Sequence, residues 1–315
     1  MNIIAHIEAS LHSAVAAGEI RGCPPKLAGA IRHAVFPAGA RIRPQLCLAV
    51  ASVCGEDDPG LAEAAAVAIE LLHCASLVHD DMPAFDNADT RRGRPSVHKA
   101  YGEALALLTG DGLIVMAYQV LLNAGRQHPD RLIALMDNLS QGVGLPNGIV
   151  AGQAWECETS ADLAQYQRSK TGALFVSATS AGAIASGQSP KPWASLGAFL
   201  GEAYQVADDI RDVLGDIAML GKPVGQDKLN ERPSSAQALG LDGAIAHFDS
   251  LIKQAGDSIP ECACRDMLKQ LVLMESQRLV PKSMCEDYRK RAVTAKPAKR
   301  RASLRNGAQQ QQIIQ

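Results

Sequence analysis

The stretch Leu61 to Asp81 is rich in alanine and mostly apolar, and Pro83 follows it. A helix this apolar on every side must be enclosed by other elements. Proline interferes with the turn before it and ends such a helix. What encloses it follows from composition. Hydrophobic residues make up 47% of the 315, but aromatics only 4%. An interior built from Ala, Leu, Val and Ile favours helix packed on helix, because strands are usually richer in aromatic and β-branched residues. Apolar spacing predicts further helices near 2–18, 26–35, 41–54, 97–125, 128–143, 148–157, 160–186, 192–215, 235–255 and 261–279. Gly22-Cys23-Pro24-Pro25, Phe36-Pro37-Ala38-Gly39 and Glu56-Asp57-Asp58-Pro59-Gly60 punctuate them. Neither an alternating strand pattern nor an internal repeat is present. The expectation is an all-α, single-domain bundle of ten or more helices over 1–281, followed by a basic, disordered tail over 282–315.

The formal net charge of −2 is unevenly spread. From Glu286 onward eight Lys or Arg face two acids, so the rest carries about −8. An acidic body argues against general nucleic-acid binding, and a solvated tail is the default for the basic end. The eight cysteines form no C-x-x-C pair, and most lie in apolar helical patterns. Together with the lack of a leader-like N-terminus and of an uninterrupted apolar run of about 18 residues, this predicts reduced thiols, no transmembrane segment and a cytoplasmic protein.

The chemistry-bearing residues gather where the apolar helix ends. Asp80 and Asp81 are followed by Asp86 and then by Arg91 and Arg92. Carboxylates this close repel unless a cation holds them, and Mg²⁺ prefers oxygen ligands while leaving room for phosphates. Arginines are natural partners of phosphate oxygens. Taken alone, the stretch is equally a solvated charged loop. A second cluster, Asp208, Asp209 and Asp212, lies inside a predicted helix, with Asp208 and Asp212 on one face. Arg211 offers a structural account of it, whereas two clusters facing one cavity across bound phosphate offer a functional one. Three shorter stretches suit phosphate as well. Gly39-Ala40-Arg41-Ile42-Arg43-Pro44 opens a helix whose free N–H groups favour anions. Ser169-Lys170-Thr171-Gly172 supplies a cation and a hydroxyl, and Gly221-Lys222-Pro223-Val224-Gly225-Gln226-Asp227-Lys228 is a glycine-punctuated loop with two lysines.

In this order the pieces resemble the trans-isoprenyl diphosphate synthases, the polyprenyl synthetase family, over about residues 25–280. His73, Asp80-Asp81-x4-Asp86, Arg91-Arg92-Gly93, Lys170-Thr171, Gln205 and Asp208-Asp209-x-x-Asp212 match its motifs. The spacer of the first motif and the Gly221 loop resemble bacterial geranylgeranyl diphosphate synthases of the carotenoid type. The resemblance implies the isoprenoid synthase fold, helices around a central hydrophobic cavity, and usually a homodimer. It also implies condensation of isopentenyl diphosphate with an allylic diphosphate. Asp80, Asp86, Asp208 and Asp212 would hold Mg²⁺, three ions with substrate bound, with Asp81 and Asp209 completing the motifs. Arg91, Lys170, Thr171, Gln205 and Lys222 would complete the allylic site, and Arg43, His73 and Arg92 would bind isopentenyl diphosphate.

Ala40 departs from the lysine usual in the family, which predicts weaker binding of isopentenyl diphosphate. Product length is expected to depend on Ala75 and Ser76. Helical rise puts Ala75 about 7.5 Å below Asp80, and small side chains there leave a tunnel open for a C20 product, which Ala75→Tyr would shorten to C15. The alternatives are a farnesyl diphosphate synthase, a terpene cyclase or a non-catalytic regulatory subunit. The intact second aspartate motif speaks against the last two.

Overall fold

The computed structural model describes residues 2–36, 39–160, 162–214, 235–262, 264–281 and 283. The described chain is helical almost throughout: α1 Ile3–Gly18, α2 Pro25–Val35, α3 Ile42–Val53, α4 Pro59–Asp80, α5 Val97–Tyr101, α6 Glu103–Ala124, α7 Pro129–Val143, α8 Ile149–Ala154, α9 Leu163–Gln167, α10 Ala173–Ala185, α11 Lys191–Leu214, α12 Ser235–Ser258 and α13 Arg265–Leu279. The apolar stretch is indeed the enclosed helix. Asp58 starts α4 by accepting a hydrogen bond from the Leu61 N–H at 3.0 Å, with Pro59 in the first turn. α4 then packs along α6 and against α3 and α10. Leu61, Ala65, Ala68, Ile69, Leu71 and Leu72 are at most 2% exposed. A second apolar cluster joins α11, α12 and α13.

Three features differ from the sequence reading. The helix expected over 97–125 breaks at Gly102, whose φ of +88° an L-residue side chain would resist, giving α5 and α6. The helix expected over 160–186 is interrupted at Arg168–Gly172 by a π turn, which accommodates one extra residue. And a two-stranded antiparallel ribbon, β1 Thr90–Arg91 with β2 Arg94–Pro95, turns through Arg92 and Gly93, both at positive φ. That combination suits the twist of a tight hairpin, and two-residue strands are too short to leave an alternating pattern.

α4 and the stretch Glu103–Gln127 are each long and apolar enough to cross a membrane. α4 is a buried core helix, whereas α6 leaves Leu107, Leu108, Val115 and Leu122 exposed. The seven described cysteines are free. Only Cys47 and Cys74 among them are buried, fewer than their apolar helical patterns predict, and burial pushes the Cys74 thiol up to about 11; Cys157 and Cys264 are exposed. Cys285 and the tail lie outside the described residues.

Candidate active site

One cavity of about 1240 Å³ opens among α3, α4, α8, α11, α13 and the β ribbon. α4 presents His73, Ser76, Leu77 and Asp80 to it, the spacing of a single helical face. Below Asp80 the chain folds back on itself. The N–H of Asp86 donates to the Asp80 carbonyl at 3.0 Å and that of Ala88 to the Asp81 carbonyl at 3.1 Å. Carbonyls that a helix end leaves unpaired are thereby used to bring Asp86 over Asp80.

Asp80, Asp86 and Glu156 form a group of carboxylates whose nearest oxygens all lie within 4.8 Å of one another. An all-oxygen donor set of this kind fits a hard divalent cation such as Mg²⁺. Lys170, carried on the π turn, donates to Asp80 Oδ1 at 2.9 Å and to Glu156 Oε1 at 2.7 Å. Tyr166 donates its hydroxyl to the same Glu156 oxygen at 2.6 Å. Burial disfavours the Lys170 charge, but Asp80, Tyr166 and Glu156 more than offset it and hold its pKa above the ordinary lysine value. Gln153 spans Ser76 O at 3.2 Å and Asp80 Oδ1 at 3.5 Å.

The structure redistributes several residues within this frame. Asp81, 2% exposed, is turned to Arg91 in a two-pronged ion pair, the Arg91 Nε lying 3.0 and 3.1 Å from its carboxylate oxygens. Its immediate partner is therefore an arginine. Burial raises the Asp81 pKa, opposed by that arginine. Asp208 faces the cavity from α11 but is paired with Arg211. Asp209 is buried and accepts from Gln205 Nε2 at 3.2 Å, while Thr171 donates to Gln205 Oε1 at 3.0 Å. Asp212 is half-buried and does not line the cavity. Of the four carboxylates expected to act together, Asp80 and Asp86 line one wall and Asp208 the opposite one, and Glu156, three residues beyond Gln153, takes the third place beside Asp80 and Asp86. Helix α8 ends at Ala154 and a 3₁₀ turn over Trp155–Cys157 carries Glu156. No spacing to the other acids announced it, whereas Tyr166 at i, i+4 to Lys170 was a readable pairing.

On the other side, Arg43 lies 4.3 Å from the Phe175 ring centroid and 5.7 Å from that of Tyr204, and its buried Nε has no hydrogen-bond partner among the described residues. Arg92 lines the same wall, against Gly39. His73 lies there too, but burial and then Arg43, Arg92 and Arg91 hold its pKa well below the ordinary histidine value. Burial and these arginines favour its neutral ring. Ala40 lines the cavity, leaving Arg43 and Arg92 as its nearby charges. Ser76 is on the cavity wall, whereas Ala75, 1% exposed, is turned into the apolar core. The wall mixes polar and apolar surface, the apolar part including Ala40, Ile42, Leu77, Ile149, Leu279 and Pro281. Lys222 and its loop lie outside the described residues.

Over 275 residues the chain is 51% identical to a geranylgeranyl diphosphate synthase of Cereibacter sphaeroides, covering 87% of this chain and 96% of that protein. It is 48% identical to a geranylgeranyl diphosphate synthase of Rhodobacter capsulatus, covering 89% and 97%. Among solved structures, the geranyltransferase from Legionella pneumophila superposes with a TM-score of 0.73 at 27% identity, over 87% of this chain and 93% of that one. Residues 24–262 match the polyprenyl synthetase family, and the chain belongs to it.

Proposed function

We propose that this chain is a trans-prenyltransferase that joins isopentenyl diphosphate to an allylic diphosphate and releases geranylgeranyl diphosphate and diphosphate. The observation that carries the reading is one cavity walled by Asp80, Asp86 and Asp208 together with Lys170, Arg91, Arg92 and Arg43. Substantial identity to two geranylgeranyl diphosphate synthases over most of both chains supports the C20 product.

Asp80, Asp86 and Glu156 on one wall, with Asp208 and Asp212 in the family's pattern, would hold Mg²⁺, three ions with substrate bound, which would supply charge neutralisation for the allylic diphosphate. The protein's own groups do the rest. Lys170 and Arg91 hold the oxygens of the leaving group, with Thr171, Gln205 and Lys222 completing its pocket. As the C–O bond breaks, the electron pair leaves with the diphosphate, and these cations stabilise the charge that develops. Arg43, Arg92 and the neutral His73 hold isopentenyl diphosphate so that its double bond faces the allylic carbon. A C–C bond forms, and a proton leaves the adjacent carbon for the released diphosphate. Enclosure by the bundle keeps water from the cation.

The exposed apolar face of α6, with Leu107, Leu108, Val115 and Leu122, supports a homodimer built on that helix. The proposal places the synthase in residues 1–281 with a separate basic tail over 282–315, in the cytoplasm. The test is incubation of purified protein with Mg²⁺, isopentenyl diphosphate and each of dimethylallyl, geranyl and farnesyl diphosphates, followed by chromatography of dephosphorylated products. A C20 alcohol is expected. A C15 end product would replace the reading with a farnesyl diphosphate synthase, and no condensation at all would refute it.

A further inference from the structure

Arg41 is surrounded by site residues, yet its own side chain points away from solvent and is fully buried. Its backbone has a φ of +50°, a left-handed conformation an arginine rarely adopts. Three elements meet on its guanidinium. Nε donates to Glu8 Oε1 on α1 at 2.7 Å, Nη1 to Glu70 Oε1 on α4 at 2.5 Å, and Nη2 to the Val35 carbonyl at the end of α2 at 2.8 Å. Gln45 Nε2 adds a bond to the Ala40 carbonyl at 2.8 Å. Arg41 and its partner Glu70 border the cavity, as do Gly39 and Ala40 before it and Ile42 and Arg43 after it. Among the described residues no side chain caps the N-terminus of α3, and the buried Arg43 Nε is unpartnered. A left-handed kink thus presents a helix start and a cation to the cavity, and a part-buried ion pair with Glu8 on α1 and a buried one with Glu70 on α4 hold the kink.

We propose that Arg41 and Glu8 are positioning residues for the homoallylic diphosphate, acting through the Arg41 kink that aims Arg43 and the start of α3 at the cavity. The inference rests on the prenyltransferase reading for the identity of the ligand. Glu8 precedes the residues 24–262 that match the family, so the first helix enters the chemistry without touching substrate. Buried ion pairs contribute little net stability compared with apolar packing, but they fix geometry when every donor is matched. A positional role therefore separates from a structural one by which kinetic constant moves.

The experiment uses the full chain and compares Glu8→Gln, Glu8→Asp and Arg41→Lys with Leu11→Ala. Leu11 is a fully buried residue on the same α1 that is not part of the Arg41 network. Glu8→Gln is expected to raise KM for isopentenyl diphosphate about tenfold, the equivalent of one charge-assisted hydrogen bond. Its kcat and allylic KM should stay within about twofold, since the allylic side is untouched. Glu8→Asp should recover part of the loss. Leu11→Ala should lower Tm while leaving that KM alone. An unchanged KM in Glu8→Gln, an equal rise in Leu11→Ala, or a parallel fall of all constants would overturn the proposal. Should Arg41→Lys fail to fold, Glu8→Gln decides. Calorimetric titration with inorganic diphosphate gives a second reading independent of turnover. Weaker binding by Glu8→Gln supports the role and equal binding refutes it, even if the wild type proves unable to condense its substrates.

Discussion

Substituting Gly152 by alanine strikes the contact that sets Lys170. Gly152 is buried on α8, and a Cβ there would lie 2.3 Å from the Lys170 backbone nitrogen and 2.4 Å from its Cα. Ordinary contact begins near 3.4 Å, so α8 and the π turn must part by about 1 Å. Neither obstacle is a flexible side-chain tip; both are backbone. Lys170 Nζ lies 2.9 Å from Asp80 and 2.7 Å from Glu156, and hydrogen bonds of that length do not survive such a displacement intact. A misplacement of about 1 Å at a reacting site costs on the order of 100-fold in rate, and overpacking costs about 1–3 kcal/mol of stability. Gly182→Ala is the comparator. Its Cβ would meet the Cys47 carbonyl oxygen at 2.3 Å and the Ala51 nitrogen at 2.9 Å, between α10 and the far end of α3. Both variants should lose a few degrees in Tm by differential scanning fluorimetry. Only Gly152→Ala should also lose about 100-fold in kcat with saturating substrates. If Gly152→Ala keeps kcat within threefold, or if the two variants lose kcat equally, Lys170 is not set by this contact.

Ala40→Lys should lower KM for isopentenyl diphosphate several-fold by adding a cation beside Arg43 and Arg92, and steady-state kinetics showing no change would remove the idea. Tyrosine at Ser76, on the cavity wall, should shorten the product to C15. At Ala75 it should instead overpack the core and lower Tm, so a C15 product from an undiminished Ala75→Tyr variant would count against the placement of these two residues. Because His73 is held below the ordinary histidine pKa, the unfolded chain takes up a proton that the native one does not. Stability is therefore full above about pH 6.5 and falls as pH drops below it, with a slope approaching ~1.4 kcal/mol per pH unit. His73→Gln should remove that part of the slope in urea unfolding between about pH 7.5 and 5.5; parallel slopes for both proteins would refute it.

Much of this site was legible because its residues are close in sequence or sit on one helical face. The apolar run that must be enclosed, the proline that ends it and the acids at its end required no knowledge of the fold. What stayed hidden depends on contacts between distant segments. Glu156 reaches Asp80 only because a 3₁₀ turn closes α8, and the π turn that carries Lys170 has no sequence marker of its own. Asp81 reads as part of the acidic motif from its neighbours, yet the ribbon returns Arg91 to it. His73 reads as a diphosphate contact, and only the fold shows burial and four arginines holding its pKa down. The loss of the lysine at position 40 was visible at once, whereas the role of Arg41 beside it depends on Glu8, 33 positions away.

The cavity face of α4 also acts as a ruler. His73 and Asp80 stand seven residues apart, two helical turns or about 10.5 Å along one rigid axis. The two ends of the site are therefore spaced by backbone geometry, which no rotamer change or loop movement can adjust. A one-residue insertion between Ser76 and Leu77 would swing His73 about 100° around the axis and out of the cavity. Evolution of this helix is thus confined to exchanging side chains along a fixed scale, with Ser76 and Leu77 as the divisions between its ends.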